Sequence, residues 1–162
     1  MIDIGETIAK RIKNGGKIII CGNGGLAAES EHFAAELMGK YGDEIYLPCI
    51  SLTSNTSLIT ALANDFGFEN IFSHQIKTLG KSWDLLIAMT TSKSANILNA
   101  ISAGLEMGME TICLCGNKCC VASNITIQFS GNDSGDIQNA IITYLHKVAK
   151  DAKAYLLKPE QP

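Results

Sequence analysis

His32 and Glu36 stand four residues apart in an alanine-rich stretch, Leu26-Ala27-Ala28-Glu29-Ser30-Glu31-His32-Phe33-Ala34-Ala35-Glu36. On a helix that spacing puts an imidazole and a carboxylate on one face, a pair suited to metal ligation or acid–base work. Immediately before the stretch lies a glycine turn, Cys21-Gly22-Asn23-Gly24-Gly25. Such a turn lets a ligand approach the backbone and directs amides and the positive end of the following helix at an anion. A second turn, Thr90-Thr91-Ser92-Lys93-Ser94, is rich in hydroxyls and also ends an apolar run. Two phosphate-type turns beside an acid–base or metal pair point to chemistry on a phosphorylated small molecule.

The elements that must position these groups follow from periodicity. Residues 2–12 carry Ile2, Ile4, Ile8 and Ile12 as a helical stripe. The run Ile18-Ile19-Ile20-Cys21 is a buried strand, and the helix that bears His32 and Glu36 runs on to Gly39. Residues 44–52 form a second strand interrupted at Pro48, which sets it near an edge. A turn over 53–56, a short helix over 57–63, a break at Asn64-Asp65-Phe66-Gly67-Phe68 and a helix over 69–79 come next. Residues 85–89 are the third strand. Ser94 is placed to cap a helix over 95–107. Strands over 111–115 and 125–129 and a long helix from about Gly135 close the chain; that helix has Ile137, Ile141, Leu145, Val148 and Ala152 on one face. Strands alternating with helices predict an α/β fold, a three-layer αβα sandwich around a five-stranded parallel sheet. Ligands bind beyond the carboxyl ends of such strands, where both turns lie.

Composition narrows the function. The 162 residues are 46% hydrophobic and 18% charged with a net charge of −3, which describes a globular chain without a nucleic-acid footprint. No apolar run reaches the roughly 20 residues of a membrane span, and the polar amino terminus is not a signal peptide, so a cytoplasmic protein is expected. Cys21, Cys49, Cys113 and Cys115 fall in strand-like runs and read as buried reduced thiols; with Cys119 and Cys120 they lack the paired knuckles of a zinc site. His74 is assigned no role.

Five segments in order closely resemble the phosphoheptose isomerases of the sugar isomerase (SIS) superfamily: Cys21 to Gly25, His32-Phe33-Ala34-Ala35-Glu36-Leu37, Ala63-Asn64-Asp65-Phe66-Gly67-Phe68, Ile71-Phe72-Ser73, and Gln138 with His146. The resemblance implies a single SIS domain over 1–162 with a flavodoxin-like sheet. It further implies an aldose–ketose isomerase converting sedoheptulose 7-phosphate to a manno-heptose 7-phosphate through an enediol. By the same resemblance zinc is held by His32, Glu36, Gln138 and His146. Substrate contacts fall on Asn23, Gly24, Gly25, Glu36, Asn64, Asp65, Thr90, Thr91, Ser92, Ser94 and Gln138. Glu36 and His146 are the acid–base pair, in either order, and the assembly is a homotetramer (or dimer) with sites at subunit interfaces.

The chain also departs from the family. Leu26 stands where a small hydroxyl residue is usual, and is expected beside the sugar. The 90–94 loop is one residue short, lacks the family's glycine and carries Lys93. Lys40 replaces an arginine, Gly135-Asp136 replaces an Asp-Arg pair, and the amino-terminal helical region (1–16) is short. These changes leave two other expectations open: a non-catalytic SIS protein that binds a sugar phosphate or a protein partner, and an isomerase for a different phosphosugar.

Overall fold

The computed structural model describes residues 3–117, 119 and 121–158. Among these residues six α-helices and five strands follow one another, alternating except at α3–α4 and β4–β5: α1 (Ile4–Lys13), β1 (Ile18–Cys21), α2 (Gly25–Met38), β2 (Cys49–Ser51), α3 (Thr56–Phe66), α4 (Ile71–Leu79), β3 (Leu85–Thr90), α5 (Ala95–Glu106), β4 (Glu110–Gly116), β5 (Ile125–Phe129) and α6 (Ser134–Leu157). A 3-10 turn, Phe68–Asn70, joins α3 to α4. The strands form one parallel sheet in the order β2-β1-β3-β4-β5, as the alternation predicts. Ile2, Lys118 and Cys120 lie outside the described residues.

Alternate strand residues feed two cores. Ile18, Ile20, Leu85, Ile87, Met89, Ile112 and Leu114 pack beneath α1, α2 and α6. Ile19, Cys21, Leu86, Ala88, Cys113 and Cys115 pack on the other face with α4 and α5. Burial on both faces explains why β1 and β3 read as unbroken apolar runs. β1 lies between β2 and β3, so the strand order reverses at β1/β3 and the loops after these two strands open side by side at the switch point.

Several boundaries differ from expectation for identifiable reasons. β2 has only three residues: Pro48 cannot donate to a ladder, and the Leu47 amide turns instead to the Leu37 carbonyl (2.9 Å). α3 continues through Asn64 and Asp65 to Phe66, capped by Asn55 and stopped at Gly67, whose φ of +86° suits glycine. Ser94 occupies the cap position of α5 but makes no capping bond; its hydroxyl lies 3.4 Å from the Thr90 hydroxyl. α6 begins at Ser134 because the Asp133 carboxylate accepts from the Asp136 amide.

Candidate active site

α2 and α6 lie against each other beneath the sheet, and three side chains meet between them. Glu36 Oε1 is 3.1 Å from His32 Nε2 and 3.1 Å from His146 Nε2, and the two imidazole nitrogens are 3.2 Å apart. Glu36 is 6% exposed, His146 half-buried and His32 open to solvent. The near-equilateral triangle is close to one face of a tetrahedral zinc site, whose ligand atoms at about 2.0 Å from the ion stand roughly 3.3 Å apart. Protons alone satisfy it poorly. Each edge can hold a hydrogen bond only if one atom donates and the other accepts, and since each ring nitrogen does one or the other, at least one edge of the triangle sets donor against donor or acceptor against acceptor. The other carboxylate oxygen, Glu36 Oε2, is buried without a hydrogen-bond partner. The donor set and this orphaned oxygen fit a bound divalent cation. Among the described residues this is the one cluster of His, Cys, Asp and Glu able to hold a metal. The thiols of Cys21, Cys49, Cys113, Cys115 and Cys119 are buried, and burial pushes those of Cys21 and Cys49 up to about 12.

The triangle opens into a depression of about 470 Å³ lined by His32, Ala35, Glu36, Lys40, Tyr41 and His146. The Tyr41 ring lies 5.8 Å from the His146 ring. Lys40 stands at the rim, paired with Glu44.

The phosphate-type turns sit at the other end of α2. Gly24 adopts φ +58°, and open space surrounds the place a side chain would take. The Asn23 and Asn96 carboxamides exchange two hydrogen bonds of 2.8 Å, stitching the turn after β1 to the start of α5 after the second loop. Within that loop the Thr90 hydroxyl donates to the Ser92 carbonyl and accepts from the Ser92 amide. Ser92 and Lys93 are exposed, Thr91 and Ser94 half-buried. Leu26 corrects an expectation: at 2% exposure it belongs to the core under the sheet, on the same α2 stripe as Ser30, Phe33 and Leu37, and not beside a sugar.

Other expected site residues are more dispersed. Gln138 lies across Gly25: a Cβ built on Gly25 would stand 2.3 Å from Gln138 Oε1. It therefore lies at the end of α2 that carries the glycine turn, while His146, about 12 Å further along α6, meets His32 and Glu36. Asn64 and Asp65 bond to each other at the exposed end of α3. His74 stacks on Phe66 with ring centres 4.2 Å apart.

Comparison with known proteins settles the family. A family model for the SIS domain matches residues 1–116. The phosphoheptose isomerase of Campylobacter concisus is 40% identical over 153 residues, 90% of this chain and 79% of that protein. Phosphoheptose isomerase 1 of Campylobacter jejuni is 41% identical over 155 residues, 91% and 82% of the two chains. The chain belongs to the phosphoheptose isomerase family. Its fold agrees: the structure of the phosphoheptose isomerase GmhA from Neisseria gonorrhoeae superposes with a TM-score of 0.86 at 33% identity, covering 94% of this chain and 84% of that one. As a member of that family the chain is an isomerase.

Three residues of the groove escaped the motif reading. Asn96 ties the two turns together. Lys153 is fully buried on α6 and donates to the carbonyls of Gly39 and Tyr41, both at 2.8 Å. Its sequence signal was a lysine next to Ala152, at the edge of the apolar stripe of α6. Glu29 lies on the α2 face defined by Gly25, His32 and Glu36, and its Oε2 is buried without a partner. Burial pushes the Glu29 carboxyl up to about 7, with His32 pulling the other way. In the unfolded chain it titrates near 4.5, so between these values the native state keeps a proton that the unfolded state releases, and stability falls as pH rises through that window. Chelated Glu29→Gln protein is therefore expected to melt higher than chelated wild type above pH 7. The gap should close toward pH 4.5, as read by thermal melts across the range.

Proposed function

We propose that this isomerase interconverts sedoheptulose 7-phosphate and D-glycero-manno-heptose 7-phosphate in the cytoplasm. It does so as one SIS domain with a zinc ion held by His32, Glu36 and His146. The observation that carries the metal is the triangle of donor atoms at 3.1–3.2 Å. When bound, the ion supplies a Lewis acid that polarises the sugar oxygens at C1 and C2. The chain's own residues then move the protons. Glu36, with Oε1 in the triangle and Oε2 unpartnered, takes the proton from the carbon next to the carbonyl, leaving an enediol, and returns it to the neighbouring carbon. His146, facing the same space, protonates or deprotonates the two oxygens; exchange of these roles describes the alternative order.

The phosphate binds where the first-turn amides of α2 and the turn after β1 meet Thr90, Thr91, Ser92 and Ser94. Asn23, Gly24 and Gly25 line that end, with Gln138 across from Gly25. Among the described residues Asn64 and Asp65 bond to each other and stand exposed at the end of α3, which supports a homotetramer in which they complete the site of an adjoining subunit. The same arrangement lets an adjoining Gln138 supply the fourth metal ligand, since the chain's own Gln138 stands two turns away. The core position of Leu26 removes one sequence-level reason for an altered substrate.

The test is conversion of sedoheptulose 7-phosphate by purified protein as isolated, after chelation, and after zinc is restored. Turnover that falls on chelation and returns with zinc is expected. A folded, zinc-loaded protein without turnover on this sugar sinks the substrate assignment.

A further inference from the structure

Between the turns at one end of α2 and the donor triangle at the other, one carboxylate on the α2 face toward α6 has no assigned role. On α2 the face toward α6 runs Gly25, Glu29, His32, Glu36, spaced by four, three and four residues, so the four side chains form one row. Both ends of the row are anchored to α6: Gly25 meets Gln138, and His32 and Glu36 meet His146. Glu29 therefore lies midway, one turn from each end. The α6 residues between the two anchors are Asn139-Ala140-Ile141-Ile142-Thr143-Tyr144-Leu145, with no cation among them. Glu29 makes no hydrogen bond among the described residues, and its Oε2 is sealed from water without a donor.

A carboxylate in this condition costs stability unless donors arrive from elsewhere. Of the neighbouring carboxylates of the same helix, Glu31 accepts from the Thr53 hydroxyl at 2.9 Å, and Glu36 meets the imidazoles through Oε1 while its Oε2, like that of Glu29, has no donor. The row also sets a length. Gly25 and His32 are about 10 Å apart along α2, the span of an extended sugar phosphate whose phosphate lies at the turns and whose carbonyl end lies at the triangle. The groups passing Glu29 are then the hydroxyls in the middle of the sugar chain, which are hydrogen-bond donors.

We propose that Glu29 is a specificity-determining residue that accepts hydrogen bonds from the mid-chain hydroxyls of the sugar phosphate. This rests on the isomerase reading for the direction in which the substrate lies. A site built around such an acceptor discriminates against ligands that leave it unpaired. Substrates too short to carry a hydroxyl to this point lose the contact while keeping phosphate and metal contacts.

Calorimetry on zinc-loaded wild type, Glu29→Ala and Glu29→Gln tests this, with sedoheptulose 7-phosphate and inorganic phosphate as probes and turnover read in parallel. The expected result for Glu29→Ala is an affinity for the sugar phosphate weaker by about tenfold, with a smaller loss for Glu29→Gln. The affinity for inorganic phosphate and the zinc content stay unchanged, and KM rises while kcat holds within about twofold. Unchanged sugar-phosphate affinity overturns the proposal. So does an equal loss for inorganic phosphate, which would mean that the turns had shifted, or a loss of zinc, which would place Glu29 in support of the triangle. Absence of turnover by the wild type with the affinity difference intact removes the isomerase reading and leaves Glu29 as a sugar contact. A wild type that does not bind the sugar phosphate removes both.

Discussion

Replacing Glu36 with Gln lowers kcat on sedoheptulose 7-phosphate by at least about a hundredfold, the range expected when a positioned acid–base group is lost. The substitution keeps the side chain's shape, so the packing of α2 on the sheet survives. It removes the charge from the 6%-exposed carboxylate at the centre of the triangle. An amide cannot receive a proton from carbon, and its NH2 group, if turned toward the imidazoles, puts a donor where a cation should sit. Bound zinc falls in the same variant, because the one anionic ligand is gone. The measurement pairs steady-state kinetics with metal analysis and a melting curve. A folded Glu36→Gln protein with near wild-type kcat would remove Glu36 from the chemistry.

The second large effect concerns stability. Lys153→Met is expected to destabilise the protein by about 3 kcal/mol, since two carbonyls facing a fully buried side chain lose a charged donor, and to lower Tm by roughly 6–12 °C for a chain of this size. The Lys153 ammonium reaches the Gly39 and Tyr41 carbonyls just past the carboxyl end of α2, where a cation also complements the helix dipole. Burial works against it: desolvation lowers the Lys153 pKa, although Glu36 and Asp43 pull it upward. Methionine fills much of the same volume without that penalty, which recovers part of the loss. The unsatisfied carbonyls decide the sign, because no water reaches a side chain of 0% exposure to replace the bonds. The same two bonds hold Tyr41 beside His146 and clamp the end of α2 to α6. Zinc affinity should therefore drop together with Tm, read by chemical denaturation and by competition with a chelating dye. An unchanged Tm would show that the buried ammonium contributes nothing net.

The positions where reading and structure part company share a cause. Leu26 follows the turn in the chain, which placed it beside the ligand. In the helix it falls on the core stripe with Ser30, Phe33 and Leu37, and the rotation of α2 turns it under the sheet. Gln138 and His146 are eight residues apart on one straight helix and face different ends of α2, so the single motif they form in sequence is split in space. Asn64 and Asp65 looked like a break because short polar residues favour turns; Gly67, with its positive φ, is where the helix stops.

Local rules determined what the chain could announce by itself. Apolar runs bounded by glycine and hydroxyl turns specify a parallel sheet covered on both faces, and the four-residue spacing of His32 and Glu36 places both on one helical face whatever packs against it. Which face of α2 meets α6 is a tertiary decision, made by the burial of Leu26, Phe33 and Leu37 against the strands. That decision brings His146 within 3.1 Å of Glu36, sets Gln138 over Gly25, buries the Lys153 ammonium and leaves Glu29 without a partner midway along the groove. These contacts join residues more than a hundred positions apart or concern a missing neighbour, and no local periodicity encodes either one.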